Sequence, residues 1–85
     1  MAESEFAVIG GGLVGSAVAF GIAERGGRVI VLDEGDRAFR AATGNAGLVW
    51  YQCKGRGMRR YQEWSLEATR AWPEFAAKLK GHTGI

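Results

Sequence analysis

The 85-residue sequence has few of the residues from which several kinds of protein site are built. Its one cysteine, Cys53, has no partner for a disulfide within the chain, so a reducing, cytoplasmic environment is expected. Its one histidine, His82, has no metal-ligand spacing around it, so no metal site is expected. A net charge of +2 is too small to indicate a nucleic-acid partner, and none is expected.

The sequence also lacks a convincing signal peptide or membrane span. The apolar stretch from Phe6 to Ala23 follows Glu3 and Glu5, whereas a signal peptide begins with positive charge. Its glycines interrupt the run of roughly 20 apolar residues that a spanning helix requires. We therefore expect neither a leader nor a transmembrane segment in these residues.

Glycine, by contrast, is abundant. It accounts for 14 of 85 residues, against one proline, which favours close backbone approaches over a Pro-rich linker. Three successive glycines stand within VIGGGLVGSA, from Val8 to Ala17. The apolar run that leads into them, from Glu5 to Gly10, is typical of a buried strand. RVIVLD, residues 28–33, is a second such run, as expected in a parallel sheet covered on both faces.

A helix is predicted between these two runs. It begins at Leu13 and ends at Gly26 and Gly27, because glycine is common at helix C-termini. Residues 5–33 are therefore predicted to form a β-α-β unit. The apolar stripe of the helix is expected to consist of Leu13, Val14, Ala17, Val18, Gly21 and Ile22.

A second helix is predicted after a long connection. Residues 33–57 are expected to be mostly loop, and helical periodicity returns at Met58. Pro73 marks either a kink in this helix or a fresh start. Trp64, Trp72 and Phe75 are expected in the core rather than in a site. The predicted apolar stripe consists of Met58, Tyr61, Trp64, Ala68, Ala71, Phe75 and Leu79.

The glycines Gly10, Gly12 and Gly15 form the pattern G-x-G-x-x-G where the first strand passes into the helix. The first permits a tight turn, the second lets the backbone approach a pyrophosphate, and the third lets helix and strand pack closely. The helix N-terminus then presents N–H groups and partial positive charge to phosphate. Asp33 lies eighteen residues beyond Gly15, where an acid can accept hydrogen bonds from ribose hydroxyls and would repel the 2′-phosphate of NADP. This spacing predicts a dinucleotide site but does not separate NAD from FAD.

A family resemblance favours FAD. AVIGGGLVGSAVAFGIAERGGRVIVLDEGD, residues 7–36, resembles the N-terminus of the FAD-dependent D-amino-acid oxidase and glycine oxidase superfamily, which includes sarcosine oxidase. ATGNAGLVW, residues 42–50, looks like the loop of that family that passes the FAD pyrophosphate towards the flavin. The resemblance is strong over residues 5–49 and looser up to residue 80, and it implies FAD as the cofactor.

The resemblance also implies roles for individual residues. Asp33 would bind the adenosine ribose, but the family more often has glutamate at that position, so Glu34 stays an alternative. The pyrophosphate would lie against Gly10, Gly12, Leu13, Val14 and Gly15. The phosphates and the flavin ring would be approached by Arg40, Thr43, Gly44, Asn45, Gly47 and Leu48.

Members of this superfamily normally run to several hundred residues. Residues 1–85 are therefore expected to be an incomplete N-terminal part of a larger α/β, Rossmann-type FAD-binding fold. The resemblance implies an oxidoreductase that oxidises the C–N bond of an amino acid or secondary amine by hydride transfer to FAD. No catalytic residue is assigned within the 85 residues. The alternative is a non-catalytic nucleotide-binding module or a small accessory subunit, and open sheet edges would favour association with a larger subunit or a second copy.

Overall fold

The computed structural model describes residues 3–35, 41–44 and 47–85. It divides into two compact units, Met1–Ala46 and Gly47–Ile85. The first unit contains a strand, a helix, a second strand and a short 3-10 turn, and the second contains one long helix. Two of the residues assigned to the FAD site by resemblance, Arg40 and Asn45, lie outside the described residues.

The first unit is a β-α-β unit, as predicted. Strand β1 (Phe6–Ile9) is followed by helix α1 (Leu13–Glu24) and strand β2 (Val29–Leu32). The strands are parallel, with Phe6 opposite Val29 and Ile9 opposite Leu32. Each strand is one residue shorter at both ends than predicted. At the entry to the sheet the N–H groups of Glu5 and Phe6 share the Arg28 carbonyl oxygen, at 2.9 and 3.1 Å, so Glu5 adds no separate pair to the ladder that begins at Phe6.

The packed face of α1 differs from the predicted stripe. Ala19 is the only buried apolar residue among those described, and Gly15 and Ile22, four residues before and three after it, are half-buried. These positions lie on one side of a helix of 3.6 residues per turn. Leu13 and Val14, expected on the apolar stripe, are 68% and 77% exposed. The predicted stripe is correct only at Gly21 and Ile22, which are half-buried. Because α1 is apolar on nearly every side, periodicity alone does not select the face that meets the sheet.

Helix α2 (Arg59–Thr83) forms most of the second unit. It runs through Pro73 without a break, so the fresh start that the sequence left open does not occur. It ends at Gly84, whose left-handed backbone (φ +74°) favours glycine and whose N–H donates to the Lys80 carbonyl oxygen at 2.8 Å. No stop for this helix was predicted from the sequence.

The apolar stripe predicted for α2 is only partly correct. No residue of this helix is buried. Trp64 is 74% exposed and Trp72 43% exposed, so the expectation that both lie in a core is wrong. The Trp72 ring instead packs beside that of Phe75, with 5.8 Å between the ring centroids. The half-buried residues of α2 are Ser65, Leu66, Thr69, Phe75, Ala76 and Leu79. Neither helix of the described part of the chain has the length and apolar character needed to cross a membrane.

Candidate functional site

The first candidate feature is the turn at which the chain leaves β1. The N–H of Gly10 donates to the Leu32 carbonyl oxygen at 2.7 Å, so Gly10 is still held to β2. Its φ of +104° lies in a region that residues with a Cβ rarely adopt. The chain therefore turns from the sheet towards α1 at this residue, which is the role the sequence predicted for the first glycine of the pattern.

Gly12 stands immediately before the first residue of α1. No side chain caps this helix start, and the first turn contains no acidic residue. The first backbone bond runs from the Ser16 N–H to the Gly12 carbonyl oxygen at 2.9 Å, so the N–H groups of Leu13, Val14 and Gly15 precede the helical ladder. A Cβ built on Gly12 would meet no atom within 4 Å. This combination of open space, N–H donors and helix dipole fits an anionic phosphate.

Gly15 is the point of closest approach between α1 and the turn. A Cβ at Gly15 would overlap the carbonyl oxygen of Gly10, and it would lie 2.9 Å from the Gly10 carbonyl carbon and 3.4 Å from Val8 Cγ1. No side chain fits without moving backbone. The absence of a Cβ therefore sets how closely the helix N-terminus packs against β1, as predicted for the third glycine.

Asp33 follows β2 directly and faces the glycine loop, which we define as residues 10–15. One carboxylate oxygen, Oδ2, accepts the N–H of Gly11, and the other, Oδ1, accepts the N–H of Gly35 at 2.8 Å. The neighbouring Glu34 is exposed and makes no hydrogen bond or ion pair with the described residues. Of the two acids that the sequence left open, only Asp33 is held at the glycine loop.

Gly11 was not among the residues selected from the sequence. The G-x-G-x-x-G pattern treats its position as variable, yet its N–H reaches the Asp33 carboxylate and its carbonyl oxygen accepts the Ser16 hydroxyl at 3.2 Å. A Cβ on Gly11 would lie 3.1 Å from Asp33 Oδ2, which is tighter than an ordinary contact. The run of three glycines was the available signal, because it leaves this position without a side chain as well.

The remaining described candidates, Thr43, Gly44, Gly47 and Leu48, follow β2 in the chain. Thr43 ends the 3-10 turn Ala41–Thr43, and the Gly44 N–H donates to the Ala41 carbonyl oxygen at 3.2 Å. Gly47 and Leu48 begin the second unit, where Leu48 is 62% exposed. Their assignment to the phosphates and the flavin stays a prediction from resemblance.

The site as a whole suits a dinucleotide. N–H donors at the start of α1 match phosphate oxygens, and the Asp33 carboxylate matches hydroxyl donors. Both lie at the carboxyl ends of two parallel strands, which is where ligands bind in folds of this type.

Comparison with known proteins also supports a dinucleotide site. The DAO family, described as FAD dependent oxidoreductase, matches residues 5–85. A protein of Agrobacterium tumefaciens that is named as a subunit of opine oxidase is 42% identical over 85 residues, covering 100% of this chain and 23% of that protein. D-amino-acid oxidase of Streptomyces coelicolor is 32% identical over 83 residues, covering 98% of this chain and 25% of that protein.

A third relative, glycine oxidase of Geobacillus kaustophilus, is 28% identical over 81 residues, covering 95% of this chain and 22% of that protein. The chain thus spans about a quarter of the length of the curated relatives it matches. No solved structure gives a significant match. The match over residues 5–85 shows that this chain belongs to the DAO family of FAD-dependent oxidoreductases, whose cofactor is FAD.

Proposed function

We propose that this chain forms the FAD-binding N-terminal part of an enzyme that oxidises the C–N bond of an amino acid or a secondary amine. The observation that carries this proposal is the pair of relatives named glycine oxidase and D-amino-acid oxidase, which align with nearly the whole chain. The substrates in those names share an amino group on the carbon next to a carboxylate. A substrate of the same class is the simplest expectation for a chain that aligns with both relatives over nearly its whole length.

In this proposal the glycine loop holds the pyrophosphate of FAD. The N–H groups of Leu13, Val14 and Gly15 donate to phosphate oxygens, and Gly12 leaves the space through which the phosphate approaches. Gly10 and Gly15 contribute through the turn and the close packing that aim those donors. The support is the open space at Gly12 and the uncapped start of α1.

Asp33 is proposed to accept hydrogen bonds from the adenosine ribose. Its carboxylate is already held against the glycine loop, whereas Glu34 is not. Thr43, Gly44, Gly47 and Leu48 are proposed to lie towards the phosphates and the flavin. When bound, FAD supplies the oxidant that takes a hydride equivalent from the amine. The residues of this chain bind and orient the cofactor, and we assign none of them to the catalytic step.

The test uses the complete protein that carries these residues, purified with its flavin. Anaerobic mixing with glycine, D-amino acids and N-substituted amino acids should bleach the visible flavin absorbance for at least one of these amines. Matched 2-hydroxy acids, in which a hydroxyl replaces the amino group, serve as the control. Bleaching by the hydroxy acids and by none of the amines would contradict C–N oxidation while leaving the FAD site intact.

A second candidate function is a non-catalytic nucleotide-binding module or an accessory subunit. The specific observation in its favour is that two relatives are each named as a subunit of opine oxidase. The coding sequence beyond residue 85 separates the two candidates, because an in-frame continuation with further FAD and substrate motifs supports the enzyme. A stop codon beside a gene for a larger subunit supports the accessory role. In that case flavin reduction by an amine should require the larger subunit.

A further inference from the structure

We infer that Asp33 is a positioning residue for the glycine loop as well as a ligand of the ribose, with Gly11 as its partner. This inference rests on the proposed FAD site and adds a second role for the same carboxylate. It states that part of the affinity for the phosphate end of the ligand depends on Asp33, which does not itself touch phosphate.

The geometry behind this inference is a bridge between two parts of the chain. Asp33 Oδ2 accepts the Gly11 N–H from the glycine loop, and Asp33 Oδ1 accepts the Gly35 N–H from the residues after β2. The loop is otherwise tied to β2 at Gly10, through the bond to the Leu32 carbonyl oxygen. Asp33 therefore adds a second tie one residue further along, directly before the helix N-cap at Gly12.

This tie bears on phosphate binding because Gly11 lies between the turn and the helix start. If the Gly11 peptide is free to rotate, Gly12 and the first N–H groups of α1 lose a fixed direction. The entropy of ordering them must then be offset when the ligand binds. A hydrogen bond from a backbone N–H to a charged acceptor contributes more than a neutral one, and both bonds here are of that kind.

The two roles of Asp33 are compatible. An ionised carboxylate has about four lone-pair positions, so accepting two N–H groups does not prevent it from accepting hydroxyl groups as well. The glycine at position 11 suits this arrangement, because an added Cβ would press on Asp33 Oδ2 at 3.1 Å.

The test compares two ligands with the complete protein, stripped of flavin. One ligand is FAD, and the other is the FAD analogue whose adenosine ribose lacks both hydroxyl groups (the 2′,3′-dideoxy form). If Asp33 acts at the ribose alone, Asp33→Ala changes affinity for FAD only. If it also positions the loop, Asp33→Ala weakens binding of the dideoxy analogue by about 3- to 10-fold, less than the loss of a direct bond to a charged group, because the phosphate donors stay in place and only their orientation is loosened. Glu74→Ala, which removes one exposed acid from α2, is the matched control and should bind both ligands as wild type does.

A second readout needs no ligand. Hydrogen exchange of the peptide that contains Gly11 should be faster in the Asp33→Ala apoprotein than in wild type, and unchanged in Glu74→Ala. If Asp33→Ala does not fold, Asp33→Asn replaces it. An asparagine has one acceptor oxygen and no charge, so it keeps at most one of the two N–H ties, and that bond is no longer made to a charged acceptor. The affinity of Asp33→Asn for the dideoxy analogue should therefore still fall.

The outcomes separate this inference from the proposed site. Unchanged affinity of the Asp33 variant for the dideoxy analogue, with unchanged exchange at Gly11, overturns the positioning role. If wild type binds FAD and the analogue equally while Asp33→Ala weakens both, the ribose contact is wrong and the positioning role stands. If Asp33→Ala weakens neither ligand, both are wrong.

Discussion

Alanine at Gly15 is expected to push α1 away from β1 and to lower both stability and FAD affinity. The added Cβ would overlap the Gly10 carbonyl oxygen and lie 2.9 Å from the Gly10 carbonyl carbon, where ordinary carbon contacts are about 3.5–4.0 Å. The clash is with backbone, so no change of side-chain rotamer relieves it. The helix start must shift instead, and its N–H groups move with it.

The expected magnitude follows from two opposing effects. Overpacking of a close contact costs about 1–3 kcal/mol. Alanine is favoured over glycine in a helix interior by about 1 kcal/mol. Because Gly15 lies in the first turn of α1, the gain in helix propensity there is at most this amount. The free energy of unfolding should therefore fall by about 1–2 kcal/mol, a visible part of the roughly 5–15 kcal/mol that proteins typically have. FAD affinity should fall about tenfold or more, because the phosphate donors are displaced.

The assay is urea denaturation of the complete apoprotein, with FAD titration followed by flavin fluorescence. Gly81→Ala is the matched control: Gly81 lies within α2 and a Cβ there would meet no atom within 4 Å. The same change should leave stability equal or slightly higher and FAD affinity unchanged. Gly15→Ala protein with wild-type stability and wild-type FAD affinity would refute the close-packing role of Gly15.

Three further outcomes are expected. Gly12→Val should give a folded protein without bound flavin, because a Cβ at this position meets no atom within 4 Å but the side chain would fill the proposed phosphate position. Purified Gly12→Val protein that keeps flavin at wild-type stoichiometry would rule out that assignment. Asp33→Ala should weaken FAD binding by about 10- to 100-fold, the equivalent of about 1.5–3 kcal/mol for bonds to a charged group, and Glu34→Ala should weaken it by much less. An FAD titration in which Glu34→Ala has the larger effect would move the ribose role to Glu34. Residues 1–85 expressed alone should show helix by circular dichroism but no sharp thermal transition, because Ala19 is the only buried apolar residue among those described. A monomer with a sharp transition, whose midpoint temperature rises when FAD is added, would contradict this.

Local sequence determined the order of elements in the first unit. Two short apolar runs around a glycine-containing helix predicted β1, α1 and β2 within one or two residues of their ends. These features depend on neighbours in the chain, because a left-handed turn needs glycine and strand propensity is local. The roles of Gly10 as the turn and Gly15 as the close contact were predicted for the same reason.

Tertiary structure alone decided the features that depend on contacts distant in sequence. Leu13 and Val14 are as apolar as Ile22, so only packing against the strands selects the face through Gly15, Ala19 and Ile22. The same holds for the bond between Gly11 and Asp33, residues 22 positions apart. Two adjacent acids look alike in sequence. The backbone direction at the end of β2 decides which carboxylate reaches the glycine loop, and that direction is set by the pairing of β1 with β2.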